Sequence, residues 1–306
     1  PIKLIIEDDS SKPDIAKSKA ERLIHEEKVV ALIGPSLTAS TGAVGAVTHG
    51  IPLVHIVFTG LGPQIESTYK NMFHVLPPHT LNAKALLEYA TKALKAKRIG
   101  VLHDSGYGSV VMGALKTVAG DYHVEFVSVE KFEVGASDVT AQAAKVKAAN
   151  PDVVFVVATS PIPFRNAKQV AIKAPILAAI GSATYEYVKG MGEHGDDITF
   201  AEFLVSEDPL PHQKEFCELF KKSYNAYPKA FDAAGWDAVH ILAKGLEAAG
   251  PDAKTEALAA AIRGPYQGVL AKFDFSAADM TGIALSSYTY SKLVKGKFTR
   301  LPFVNK

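Results

Sequence analysis

The sequence is short of cysteine, of net charge and of long apolar runs, and each shortage closes off a class of protein. Its 306 residues include one cysteine, Cys217, so no internal disulfide is available and the fold must rest on its core. Cys217 lies in the helical-looking stretch 213–224 and reads as a buried thiol. Lys and Arg number 33 against 32 Asp and Glu, and no basic block forms a phosphate-binding stripe, which argues against a nucleic-acid partner. The longest apolar stretches, such as Val153 to Ala158, are far too short to cross a bilayer. Neither G-x-x-x-x-G-K-[ST] nor G-x-G-x-x-G occurs, and the histidines lack metal-ligand spacing, so no cofactor and no metal are expected. The sequence shows no signal peptide, which a processed secreted chain would also lack, so the compartment must come from other signs.

What is present is ordinary globular material, 48% hydrophobic and 21% charged, at about twice the usual length of a domain, so two lobes are expected. Ile2 to Ile6 reads as a strand, followed by a turn at Asp8 to Ser11. Pro13 opens a helix in which Ile15, Ala16, Ala20, Leu23 and Ile24 recur at helical spacing. Strands at 29–33 and 51–57 flank a helix ending near His49. Short apolar strands alternating with amphipathic helices imply an α/β fold with parallel sheets covered on both faces. The adjacent prolines of "FHVLPPHT", residues 73 to 80, forbid helix or strand continuation and mark a lobe crossing. The rhythm then resumes, with a helix over 80–95, strands at 98–103, 123–129, 152–158 and 176–179, and helices over 140–149 and 164–172. A second break, "SEDPLPHQ", precedes helices at 213–224, 231–249 and 254–262. The closing segment alternates like antiparallel strands with a turn near Lys295 and Gly296. The expected lobes are 1–75 plus 207–273 and 76–206 plus 274–306.

"ALIGPSLTAST" places Ser36 to Thr41 where a strand's carboxyl end feeds a helix, the usual ligand position of such sheets. Free first-turn amides and hydroxyls there suit a small carboxylate, while a plain helix cap by Ser36 or Thr38 is the competing reading. "HIVFTGLGPQ" puts Thr59, with the amides of Val57 and Phe58, at a second strand end, where Thr59 also reads as an ordinary turn residue.

These stretches, with "VLHDSGYGSVV", "NPDVVFVVAT", "FDAAGWDAVHILAKGLEAAG" and "YQGVLAKFDF", resemble in content and order the branched-chain amino-acid receptors among type I periplasmic solute-binding proteins. The resemblance covers essentially the whole chain. It implies two doubly wound lobes joined by three hinge crossings, and a ligand that binds the closed form better and shifts the protein toward it. It also implies an ABC permease as partner, a monomer, and a periplasmic or lipid-anchored extracytoplasmic location. The first lobe is expected to lack the family's first βα unit.

Position by position, the resemblance puts the ligand carboxylate on the loop of Ser36, Leu37 and Thr38 and on Val57 and Thr59. It adds Tyr107, the loop Thr159, Ser160 and Pro161, and Trp236, which also reads as plain core. Where the family's amino-acid receptors hold the ammonium with an acid, this sequence has Ala183, with Glu186 three residues on. A buried ammonium without a counter-charge is costly, so a carboxylate without an α-amino group, aromatic or aliphatic, is the expected ligand. Phe58, Tyr107, Phe164, Tyr185 and Trp236 would line its pocket. His55 and Arg165 are further candidates for the carboxylate, against core and surface placements respectively. Branched-chain or other amino acids remain the alternative ligand, and a ligand-sensing regulatory domain the alternative role. An enzyme is not expected. Ser36 with His55 or His103 suggests a triad, but "GPSLT" is no nucleophile elbow, because Thr38 stands where the final glycine belongs.

Overall fold

A computed structural model describes residues 2–61, 68–277 and 280–305. Positions 62–64 of "HIVFTGLGPQ" and 278–279 of the closing segment lie outside them. The chain divides into two compact units, residues 1–79 with 231–284 and residues 80–230 with 285–306, and passes between them three times.

The first unit holds a parallel sheet in the order β1 (Ala31–Ile33), β2 (Val54–Val57), β3 (Met72–His74). Helix α1 (Pro13–His25) begins at the expected proline. Its Ala16 and Ala20 pack with Leu32 of β1, Val44 and Leu53 in one apolar cluster. Small side chains on this face let helix and strand approach closely. Helix α2 (Thr38–Thr48) leaves the carboxyl end of β1. The unit is completed by helices over Ala230–Ala249 and Thr255–Ile262 and an antiparallel pair, Tyr266–Gln267 with Lys272–Phe273.

The second unit is a seven-stranded mixed sheet. Five parallel strands run in the order β5 (Glu125–Phe132), β4 (Arg98–Asp104), β6 (Val153–Val157), β7 (Ile176–Ala178), β8 (Ile198–Glu202). Two antiparallel strands, Thr289–Val294 and Lys297–Leu301, extend the β8 edge. Every residue of β6 and β8 is buried, as strands covered on both faces must be. Val154, Val156, Phe164, Phe200 and Phe298 form the core on one face. Because β5 lies on one side of β4 and β6 on the other, the winding reverses between β4 and β6, and the carboxyl ends of two strands at such a reversal are the usual ligand position of an α/β sheet.

The structure corrects the sequence reading in several places. Ile2 to Ile6 form no strand, and Ile6 is 88% exposed. Residues 72–74, which run into the front of the "FHVLPPHT" break, are a strand, because β2 and residues 280–282 supply hydrogen-bond partners on both sides. The helix expected over 80–95 ends in a π-turn at Tyr89–Ala93. Strand β8 was not anticipated. Residues 207–230, expected in the first lobe, belong to the second unit. Gln213 Nε2 donates to the Phe203 carbonyl at 3.0 Å, and Lys229 Nζ pairs with Glu202 and donates to the Leu204 carbonyl. Residues 274–284, expected in the second lobe, belong to the first. The amide of His74 donates to the Met280 carbonyl at 3.0 Å, and that of Gly282 to the His74 carbonyl.

Candidate functional site

In the first unit the ends of β1 and β2 lie side by side. The chain leaves β1 through Gly34, whose amide donates to the Ile56 carbonyl of β2 at 2.8 Å. Ser36 and Leu37 follow, both exposed. Leu37 occupies the cap position of α2, and no side chain caps that helix. The capping reading of Ser36 and Thr38 therefore fails, and the first-turn amides keep their partial positive charge for something else. Thr38 Oγ1 instead lies 3.2 Å from Thr59 Oγ1, at the end of β2. Two residues on, the hydroxyl of Ser40 is buried without a hydrogen-bond partner. Val57 is the last ladder residue of β2, opposite His74 and fully buried, and Phe58 beside it is half-buried.

His79, at the start of the helix His79–Glu88, brings its Nε2 to 3.4 Å from Thr38 Oγ1 and is 3% exposed. Sequence reasoning passed over it. Its neighbour Thr38 is 41 positions away, and "PPHT" carried only a proline signal.

His55 is not a ligand partner. Its Nε2 lies 2.7 Å from the Gly34 carbonyl and its Nδ1 3.3 Å from Thr48 Oγ1. A carbonyl only accepts, so Nε2 carries the proton, and Nδ1 shares the single Thr48 hydroxyl proton with the Gly45 carbonyl, 3.2 Å from Thr48 Oγ1. Burial drives the pKa down to about 4, against the opposing effect of the Gly34 bond, with His74 nearby lowering it further. His55 is thus a neutral prop beneath the Gly34–Thr38 loop. Trp236 is half-buried and stacked on His240, with ring centroids 4.3 Å apart.

In the second unit one carboxylate joins the carboxyl ends of β4 and β6. Asp104, the last residue of β4, is 1% exposed. Its Oδ1 accepts from the amides of Gly106 at 3.0 Å and Gly108 at 2.7 Å. Its Oδ2 accepts from the amide of Thr159 at 2.7 Å and from Thr159 Oγ1 at 2.9 Å. The loops after β4 and β6 are thereby tied together, and Tyr107 sits between the two glycines at the start of the helix Tyr107–Val118. A side chain added at Gly108 would meet the Val157 carbonyl at 2.3 Å, so only glycine lets this helix start so close to β6. The Tyr107 ring faces Gly181, after β7, where an added Cβ would lie 3.6 Å from the ring. Burial raises the Tyr107 phenol pKa, helped by Tyr187 and Asp104.

Other expected lining residues are placed differently. Phe164 and Ala183 belong to the apolar core of the second unit, 0% and 2% exposed. Tyr185 packs edge-on to Phe298, and its phenol is raised by burial and by Glu207. Pro161 packs its ring toward Gly190, where an added Cβ would meet Pro161 Cγ at 2.6 Å. Ser160 and Arg165 are half-buried, and Glu186 is exposed. Among the described residues no group of three or more His, Cys, Asp or Glu side chains is arranged to hold a metal ion. No helix there is long and apolar enough to cross a membrane.

A parallel α/β unit with hydroxyls and a free helix N-terminus at its strand ends, followed by a second whose loops are joined at its winding reversal, defines a small-molecule binding protein of the type I periplasmic class. Comparison with known proteins gives the same class. The periplasmic binding protein family matches residues 1–292, and the chain belongs to that family. An amino acid binding protein of Pseudomonas aeruginosa is 25% identical over 98% of this chain and 82% of its own length. A leucine binding protein of Thermotoga maritima has the same fold, with a TM-score of 0.87 at 23% identity over 99% of this chain and 87% of that one. A solute binding protein of an ABC transporter from R. palustris, solved in complex with benzoate, superposes with a TM-score of 0.83 at 22% identity, covering 96% and 83% of the two chains. The family consists of extracytoplasmic solute receptors that work with ABC transporter permeases, and not of enzymes.

Proposed function

We propose that this protein is the receptor of an ABC importer for a small organic acid that lacks an α-ammonium group, with aromatic acids favoured. The observation that carries this reading is the meeting of Thr38 and Thr59 hydroxyls, 3.2 Å apart, beside the uncapped start of α2. Hydroxyls and amides of this kind donate to a carboxylate. The His79 ring, 3.4 Å from Thr38, adds a group that carries either no charge or a positive one, which suits an anion and opposes an ammonium.

The supply of acids points the same way. Residues 34–41, 57–61, 158–161 and 179–184 contain no Asp or Glu. Asp104 is the one acid of the loop 104–107, and four donors already occupy it. Ala183 supplies no counter-charge and is packed into the core. An α-ammonium would be desolvated without an anion to compensate it. Benzoate in the R. palustris protein is an acid of the favoured kind. The amino-acid reading has the names of the P. aeruginosa relative and the T. maritima structure on its side.

Titration calorimetry with sodium benzoate and with leucine, on the wild type and on Thr38→Val and Thr59→Val, tests the proposal. On binding, the bond between the two hydroxyls gives way and each donates its one proton to a charged oxygen, so the loss of either should weaken benzoate binding about 10- to 100-fold. Leucine binding in preference to benzoate would refute the ligand class. Unchanged affinity in both variants would refute the placement of the carboxylate.

A further inference from the structure

Asp104 is a buried acid whose bonded partners are not cations. Its four donors all come from the two loops it separates, the amides of Gly106 and Gly108 on one side and the amide and hydroxyl of Thr159 on the other. Charge-assisted bonds of this kind are short and strong, and they lie at the reversal of the sheet, where β4 and β6 part. The Tyr107 loop is locked further from behind. Gly108 has no room for a side chain against the Val157 carbonyl, and Ser105 Oγ accepts from the amide of Val134 at 3.1 Å.

We infer that Asp104 is a positioning residue for ligand binding, a clamp that holds the Tyr107 loop and the 159–161 loop as one preformed surface. The inference rests on the proposed function and on the place of these loops at the carboxyl ends of β4 and β6, where parallel α/β sheets bind their ligands. Asp104 does not itself touch ligand, since its lone pairs are spent on the loops. It sets where the Tyr107 ring stands against Gly181 and where the Thr159 and Ser160 groups present themselves. Without the clamp each loop must be ordered at the moment of binding, which lowers affinity without removing a contact.

Asparagine at position 104 separates the clamp from mere bulk. It retains one acceptor oxygen, so it can serve Gly106 and Gly108 or Thr159 but not both, and its amide faces donors on the other side. The experiment is amide hydrogen exchange on the full chain, paired with benzoate titration, for wild type, Asp104→Asn, Thr159→Val and the double variant. Asp104→Asn should speed exchange of the Thr159 amide at least about tenfold and weaken benzoate binding about tenfold or more. Thr159→Val, which keeps the amide bond and loses only the hydroxyl, should weaken binding less. It should add little on top of Asp104→Asn, because both act on the same bond. It also keeps the test open should Asp104→Asn fail to fold.

Unchanged Thr159 exchange in Asp104→Asn overturns the clamp. Faster exchange with unchanged benzoate affinity overturns the positioning role and leaves a structural bond. Fully additive losses of affinity overturn the shared route. A wild type that binds neither benzoate nor leucine overturns the ligand reading and with it the positioning role, and the exchange data then report separately on whether the loops are joined.

Discussion

His55 lies under the loop that carries Ser36 and Thr38, and its protonation gives a quantitative test of how that loop is held. Its pKa falls from 6.5 to about 4 on folding, so the folded state resists a proton that the unfolded chain accepts. The group's contribution is therefore complete above about pH 6.5 and is lost as pH falls toward 4. Between about pH 7.5 and about pH 4.5 the loss comes to about 2.5 kcal/mol. His55→Gln removes this dependence. At the higher pH the variant should be less stable by about 1–3 kcal/mol, the usual cost of leaving the buried Gly34 carbonyl poorly paired. By about pH 4.5 that deficit should have shrunk by about 2.5 kcal/mol or reversed. The assay is urea unfolding followed by the fluorescence of Trp236, the single tryptophan, which lies in the same unit as His55. Asp237 titrates in both proteins and cancels in the difference. A deficit that stays constant with pH would refute the neutral, buried imidazole and the support it gives to the loop.

Other perturbations test neighbouring parts of the account. Asp237 is buried, accepts from the amides of Val269 and Leu270, and has its pKa raised from 3.8 to about 6 by burial. Its sign is opposite to that of His55: the protonated form favours the folded state, and stability falls as pH rises through about 6. Asp237→Asn should flatten that slope, worth up to about 3 kcal/mol, in urea unfolding across this range. Gly108→Ala forces a Cβ against backbone and should cost about 2–3 kcal/mol in thermal unfolding. Gly113→Ala, in the same helix with open space around it, should instead stabilise by about 0.5–1 kcal/mol. Lys229→Met leaves Glu202, which it pairs with inside the second unit, without its counter-charge. It should cost about 3–5 kcal/mol, most of which Glu202→Gln in the same chain should restore in chemical denaturation.

The elements that could be read in the sequence were those whose signals are local. The alternation of short apolar strands with amphipathic helices carries its own period, and Ser36 to Thr41 stood out because a strand end, a Gly-Pro and a hydroxyl run are adjacent along the chain. Long-range partners leave no such trace. Met72–His74 reads as part of a proline break until residues 280–282 pair with it. Asp104 carries no signal of its own within "HDSGYG", because its role depends on Thr159, 55 positions later. Phe164 and Tyr185 read as lining because aromatics near strand ends suit either role, and only packing against Phe298 and the β6–β8 core separates the two. The misplaced unit boundaries have the same cause. Gln213 and Lys229 fasten residues 207–230 to the end of β8, and no local pattern reveals those bonds.

The central claim, a carboxylate held at the Thr38 and Thr59 hydroxyls without an acid for an ammonium, is tested most directly by identifying what the protein carries. Mass spectrometry of the small molecules released when freshly purified protein is denatured should find an organic acid without an α-amine. That acid, added back, should bind the wild type and bind Thr38→Val about 10- to 100-fold more weakly. Release of leucine or another amino acid that rebinds tightly would contradict the claim and would require an acid beyond the loops named here to hold its ammonium.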